Sequence, residues 1–185
     1  MAKILVIFSL VVLFIVPSSY CLDSIDILTG YLEADLEKKD HYQAVPLLVG
    51  FNYSAEPFLN KIGLKVPGQV NFILEPFFNT VIGPDKNIEV GSNFLLKYSL
   101  TFLDKIHPYI KGGIGALYMS QHTEEQSTQY NFLPQVGGGI QYFLTDNLAF
   151  NLEYRYRHLS NASIKNPNSG IDSDLILCGF SFFFK

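Results

Sequence analysis

Long stretches in which apolar and polar side chains alternate with a period of two constrain the fold of this chain most. In residues 88–102 the even positions are mostly apolar, whereas the odd positions include Glu89 and Lys97. The same parity recurs in residues 68–78 and 148–158. Successive side chains of a β-strand point to opposite faces of its sheet, so the pattern indicates strands with one apolar and one polar face.

The length of these stretches separates two β architectures. Alternation alone fits either a soluble sandwich or a membrane barrel. Several stretches reach or exceed the roughly 9 to 11 residues of a tilted transmembrane strand, whereas sandwich strands typically have about 5 to 6. The sequence therefore predicts an all-β fold, an eight-stranded antiparallel outer-membrane β-barrel. The predicted strands are residues 25–34, 42–53, 68–78, 88–102, 109–121, 131–144, 147–157 and 174–184.

The first residues predict export from the cytoplasm. Lys3 gives a short basic start, residues 4–16 form a nearly continuous apolar run, and residues 17–19 (Pro-Ser-Ser) supply a break and small side chains. The run is shorter than the roughly 20 apolar residues that a spanning helix needs. We therefore expect a cleavable signal peptide at residues 1–21 and a barrel domain at residues 22–185, located in a bacterial outer membrane.

Composition limits the partners and cofactors of the chain. The net charge is −4 and Lys and Arg form no cluster, which argues against nucleic acid as a partner. His41, His107 and His122 lack the spacing of metal ligands, so we expect no metal and no cofactor. Cleavage after Cys21 would leave only Cys178, whereas earlier cleavage leaves a bridge between the two cysteines open.

Two further patterns support a barrel. Residues 179–184 resemble the terminal pattern of outer-membrane barrels, a glycine followed by aromatics at alternating positions, although Lys185 follows the expected last aromatic and Leu177 stands where a polar residue is usual. Charged residues share the inward parity and are expected to form charge pairs that fill the lumen. They are Glu75, Glu89, Lys97, Lys111, Glu153, Arg155 and Arg157.

The sequence has three candidate catalytic residues, His158, Ser160 and Asp172. They could supply a base, a nucleophile and an orienting acid, in that order. All three have the even parity of the lipid-facing residues, so we expect them on the outer wall of the barrel. With both termini in the periplasm, residues 159–171 form the fourth external loop. Polar groups facing lipid are costly and suggest a function, unless they lie among the headgroups, where polarity costs little.

One segment resembles a known family. His158-Leu159-Ser160-Asn161-Ala162, Pro167-Asn168, Gly170-Ile171 and an acid at position 172 have the spacing of the PagL-type lipid A 3-O-deacylases, also called acyloxyacyl hydrolases. Over the rest of the chain the similarity is mainly the eight-strand plan.

The resemblance implies an outer-membrane esterase that removes an ester-linked 3-hydroxyacyl chain from lipid A, with lipopolysaccharide as its substrate. It assigns His158 as base, Ser160 as nucleophile and Asp172 as orienting acid, and it suggests Asn161 or Asn168 for the oxyanion. The family has glutamate where this chain has Asp172, and Asp174 has the same parity and is the fallback acid.

Two other functions fit the sequence. A non-catalytic barrel for envelope integrity or adhesion would not need His158 or Ser160, and a membrane acyltransferase would pass the acyl group to another lipid. The sequence leaves open the preferred acyl chain and whether the barrel forms a homodimer.

Overall fold

Eight antiparallel strands close into a barrel in the computed structural model, which describes residues 22–36, 41–120 and 125–184. Each strand pairs with the next, and the last pairs with the first, which confirms the predicted fold class. The predicted signal peptide lies outside the described residues. The strands are β1 (Leu22–Ala34), β2 (Tyr42–Ser54), β3 (Gln69–Gly83), β4 (Asn87–Ser99), β5 (Ile106–Met119), β6 (Tyr130–Thr145), β7 (Leu148–Leu159) and β8 (Ile171–Phe183).

Side-chain burial follows the predicted parity. In β7 the odd residues Glu153, Arg155 and Arg157 are buried, whereas the even residues Tyr154 and Tyr156 are exposed on the outer wall. A closed barrel has one interior, so a strand with this alternation must turn its odd residues inward. The same alternation continues to the end of β7, where the candidate site begins.

The observed strand ends differ from the predicted ones in two places that matter. β3 runs on to Gly83, past its predicted end at residue 78, because the alternation continues with Asn79 and Val81 buried. β8 begins at Ile171 rather than at residue 174, because its first residues pair with the end of β7. The longer β8 brings Asp172 into the sheet.

Charged side chains fill the lumen, as predicted. Arg155 Nη1 lies 2.6 Å from Glu75 Oε1, and Lys111 Nζ lies 2.6 Å from Glu153 Oε2. Nearer the external end, Arg157 Nη1 lies 2.8 Å from a Glu89 carboxylate oxygen. Buried charges persist only when they are paired and hydrogen-bonded, and these contacts connect β7 to β3, β4 and β5 through the lumen.

One short helix, α1 (Glu56–Lys61), lies in the connection between β2 and β3 and was not predicted. It lies at the end of the barrel that carries both described termini, opposite the candidate site. Pro57 occupies the first turn, where its missing N–H costs nothing. Within the described ranges, no helix is long and apolar enough to cross a membrane.

Candidate active site

His158 and Asp172 face each other across the last strand pair. They are direct partners in the β7–β8 ladder, and His158 Nδ1 lies 2.5 Å from Asp172 Oδ1. Side chains of directly opposed residues have Cβ atoms only about 4.5 to 5.5 Å apart, so a carboxylate as short as aspartate reaches the ring. Both lie on the outer wall, with 40% and 60% of their side chains exposed.

Ser160 continues β7 beyond its last regular pair. Its N–H donates to the Phe132 carbonyl at 3.0 Å, and the Phe132 N–H donates back to the Ser160 carbonyl at 2.7 Å. This bridge keeps the register of the β6–β7 ladder. Side chains alternate along a strand, so Ser160 and His158 lie on the same outer face, about 6.6 Å apart along the strand.

The Ser160 hydroxyl makes no hydrogen bond with His158 in the described part of the chain. Asp172 occupies Nδ1 of the imidazole, which leaves Nε2 as the nitrogen that can accept a proton. Contacts between a nucleophile and its base are often long in a protein without substrate and tighten in the complex. The imidazole of His158 is therefore oriented by a carboxylate and lies on the same face of the strand as Ser160.

Gly170 is in direct contact with the His158 ring. Its φ is +83°, and a Cβ at this position would lie 2.6 Å from His158 Cε1 and 3.2 Å from Nε2. A side chain there would both strain the backbone and push the imidazole away. Glycine at this position thus allows the ring to lie close to the start of β8.

Asn161 and Asn168 hold the external loop between β7 and β8. The buried Asn161 amide donates to the Lys165 carbonyl at 2.8 Å, and the Asn161 N–H donates to Asn168 Oδ1 at 2.8 Å. The first of these bonds uses the Asn161 Nδ2 group inside the loop. The Asn168 oxygen is likewise occupied, whereas its Nδ2 group has no hydrogen bond among the described residues.

A tight turn follows the serine. Ala162 and Ser163 both have positive φ, at 52° and 61°, and the Ile164 N–H donates to the Asn161 carbonyl at 3.1 Å. Positive φ at both central residues defines a type I′ turn. Non-glycine residues adopt this conformation at a cost, and such strain is common where a backbone is held for function.

The external loop between β5 and β6 packs against this turn. Ser127 donates from its backbone to the Pro167 carbonyl at 3.1 Å and from its hydroxyl to the Lys165 carbonyl at 2.9 Å. Gln126 and Asn168 form an antiparallel bridge beside these bonds. Residues distant in sequence therefore fix the shape of the loop that carries Ser160.

Two tyrosines lie beside the two carboxylates on the outer wall. The Tyr154 hydroxyl donates to Asp174 Oδ1 at 2.5 Å, and the Tyr156 hydroxyl lies in hydrogen-bonding reach of Asp172. Asp174 is therefore engaged away from His158, and Asp172 is the acid that the structure brings to the ring. No three His, Cys, Asp or Glu side chains of the described residues converge as a metal site requires.

Sequence comparison identifies the family of this chain. A family profile described as lipid A 3-O-deacylase (PagL) matches residues 43–181, which is most of the barrel. The chain belongs to the PagL family. It is an outer-membrane β-barrel of that family.

Individual relatives agree with this assignment. The lipid A deacylase PagL of Pseudomonas aeruginosa is 31% identical over 109 residues, which cover 52% of this chain and 57% of the relative, so the match spans little more than half of its length. The crystal structure of the outer membrane enzyme PagL has a TM-score of 0.63 at 16% identity and covers 87% of this chain and 99% of its own.

A second solved structure with the same fold has a different name. Neisserial surface protein A (NspA) has a TM-score of 0.69 at 12% identity, covering 90% of this chain and 100% of its own. At such identities the likeness concerns the fold alone. The fold is therefore shared by proteins of different kinds, and the function of this chain depends on the residues at its site.

Sequence reasoning missed several residues that shape the site. The family motif includes Gly170, but its spacing does not predict a contact with His158. For Tyr156 the sequence shows only that its side chain faces outward. Ser127 had no signal, because its role depends on how two external loops meet.

Proposed function

We propose that this PagL-family protein hydrolyses an ester-linked 3-hydroxyacyl chain of lipid A in the external leaflet of the outer membrane. The observation that carries the proposal is the His158–Asp172 pair, 2.5 Å apart on the lipid-facing wall beside Ser160. Polar side chains that face lipid are costly, and such residues usually serve a function. A substrate ester at the base of a sugar headgroup would lie at this height.

In the first half of the reaction, Ser160 Oγ attacks the ester carbonyl carbon while His158 Nε2 takes the hydroxyl proton. The carbonyl oxygen becomes an oxyanion. Collapse of this intermediate breaks the bond to the sugar oxygen, and His158 returns the proton to that leaving group. The acyl chain is then an ester of Ser160.

In the second half, His158 accepts a proton from water, and the resulting hydroxide attacks the acyl-enzyme. The intermediate collapses, Ser160 recovers its proton, and a free hydroxy fatty acid leaves. Asp172 holds the Nδ1–H tautomer throughout and stabilises the imidazolium, and Tyr156 helps to orient Asp172.

Oxyanion stabilisation is proposed from the loop that follows the serine. Of the two asparagines expected there, Asn168 has the better case, because its Nδ2 group has no other bond among the described residues, whereas Asn161 uses its amide on loop carbonyls. Backbone N–H groups of the turn at Ala162 and Ser163 are further donors. One such donor typically contributes about 3 to 4 kcal/mol to the transition state.

The experiment is mass spectrometry of lipid A from cells that express the wild-type chain, Ser160→Ala or Ser169→Ala. Ser169 lies in the same external loop with an exposed side chain, so it is the matched control. We expect wild type and Ser169→Ala to remove one hydroxyacyl chain and Ser160→Ala to remove none. Equal barrel levels in the outer-membrane fraction show that folding is preserved.

Three other outcomes would contradict this proposal or its assignment of Ser160. Unchanged lipid A with a well-folded wild-type barrel would contradict the proposal and favour a non-catalytic role. A gain of an acyl chain would favour an acyltransferase. Deacylation that persists in Ser160→Ala would exclude Ser160 as nucleophile.

A further inference from the structure

At the end opposite the candidate site, the connection between β2 and β3 presents three large apolar side chains. Phe58, Ile62 and Leu64 are 43%, 57% and 50% exposed. Phe58 and Ile62 are four residues apart in and just after α1, with the Ile62 N–H bonded to the Phe58 carbonyl, so they share one face. We call these three residues the helical patch.

The helical patch is firmly held on the barrel. The Ala55 N–H donates to the Val70 carbonyl at 2.9 Å at the start of the connection, and the Tyr98 hydroxyl donates to the Pro67 carbonyl at 2.5 Å at its end. The Leu64 N–H closes the turn after the helix by bonding the Leu59 carbonyl at 2.9 Å. The exposed side chains therefore form a fixed surface.

The helical patch continues the lipid-facing wall. The Phe58 ring packs edge-on against Phe72 with centroids 6.4 Å apart, and Phe72 stacks on Phe94 at 6.2 Å. Phe94 and its neighbour Leu96 face outward on β4, with 47% and 48% exposure. An aromatic row thus leads from the transmembrane wall directly to α1.

The charges around the helical patch suit a lipid surface. Lys61 and Lys65 are exposed beside the apolar side chains, whereas Glu56 lies at the other end of the helix. Segments that lie in a membrane interface combine a buried apolar face with basic residues that reach phosphate groups. If the helical patch faced water, its contiguous apolar surface would be unfavourable.

We propose that the helical patch inserts into the headgroup region of the phospholipid leaflet at the terminus end of the barrel. There it acts as an interfacial anchor that helps to fix how deeply the barrel sits. The proposal does not depend on the enzymatic activity, because it uses only the position of the chain in an outer membrane and the contacts of α1.

The chain contains no tryptophan, so one introduced tryptophan reports on its own surroundings. The full-length chain carrying Phe58→Trp is folded into phosphatidylcholine–phosphatidylglycerol vesicles that contain lipids with a nitroxide near the headgroup or deep in the acyl chain. Lys86→Trp, in the exposed turn between β3 and β4, is the control in water, and Phe180→Trp, on the lipid-facing side of β8, is the control in the membrane. Far-UV circular dichroism checks folding.

Interfacial residues lie about 5 to 10 Å into the headgroup boundary, so we expect the shallow nitroxide to quench Phe58→Trp at least about twofold more than Lys86→Trp. The Phe58→Trp emission maximum should also be blue-shifted towards that of Phe180→Trp. Leu64→Trp should show the same quenching and the same blue shift as Phe58→Trp. If one of the two variants folds poorly, the other still tests the proposal.

Two results would overturn the proposal. Emission and quenching equal to those of Lys86→Trp would mean that the helical patch faces water. A blue-shifted emission that neither nitroxide quenches would mean that protein, such as a second copy of the chain, covers it.

Discussion

Replacing Gly170 by alanine is expected to lower the deacylation rate by about 10²-fold. The new Cβ would lie 2.6 Å from His158 Cε1, whereas an ordinary carbon–carbon contact is about 3.5 Å, so the ring must move by about 0.9 Å. A displacement of about 1 Å at a catalytic group can cost about 10²-fold in rate, which is about 2.7 kcal/mol.

Backbone strain must be separated from this effect. Gly170 has φ +83°, and an alanine in the left-handed region costs roughly 1 to 2 kcal/mol of stability wherever it is placed. Gly63 provides the matched control, because its φ is +73° and a Cβ there would meet nothing within 4 Å. Gly63→Ala should show the same order of strain with full activity.

The assay is release of hydroxy fatty acid from purified lipid A by each refolded variant, with saturating substrate so that kcat is measured. The KM is recorded as well, because a displaced imidazole that keeps its contact with Asp172 should lower kcat more than it changes substrate binding. Full activity in Gly170→Ala, or an equal loss in Gly63→Ala, would refute the idea that glycine here serves the position of His158.

Three further predictions concern the acid, the lumen and the loop. Asp172→Asn should lower kcat by about 10²- to 10⁴-fold, whereas Asp174→Asn should change it by less than about tenfold; equal losses would mean that Asp172 has no special role. Arg157→Met should destabilise the barrel by about 3 to 5 kcal/mol in urea unfolding, because it leaves Glu89 buried without its cation, and adding Glu89→Gln should restore part of the loss. Asn161→Ala should lower activity and make the loop after β7 more sensitive to proteases, because the variant loses the bond from the Asn161 amide to the Lys165 carbonyl. If activity is lost while the loop stays resistant to proteases, the result would instead support Asn161 as an oxyanion donor.

The strands could be predicted from the sequence because one physical rule governs each of them. Polar side chains face the lumen and apolar side chains face the membrane. The alternation of polar and apolar residues therefore indicates the orientation of each strand residue. Parity alone therefore predicted the outward position of His158 and Asp172. It also predicted that Arg155 and Glu75 would both face the lumen and form charge pairs there, although it did not show which residues pair; in the structure these two are 2.6 Å apart.

The remaining features depend on contacts that leave no local pattern. Helix α1 is only six residues long, too short for a period of 3.6 to be recognised among the residues that follow β2. The bonds from Ser127 to the loop after β7 join segments far apart in the chain. The contact between Gly170 and His158 depends on the β7–β8 register, and strand ends are the least reliable part of a prediction from sequence.

The members of the candidate triad are held in position by different parts of the protein. His158 and Asp172 belong to regular β-ladders, and the charge pairs beneath them connect strands across the lumen, so this pair is as rigid as the barrel. Ser160 lies one residue beyond β7 and keeps its register through its bridge to Phe132, while the loop after it is bonded by Ser127. Changes in the loop between β5 and β6 should therefore move Ser160 and leave the His158–Asp172 pair in place. A variant of that loop should therefore lose rate while the barrel keeps the thermal stability of the wild type.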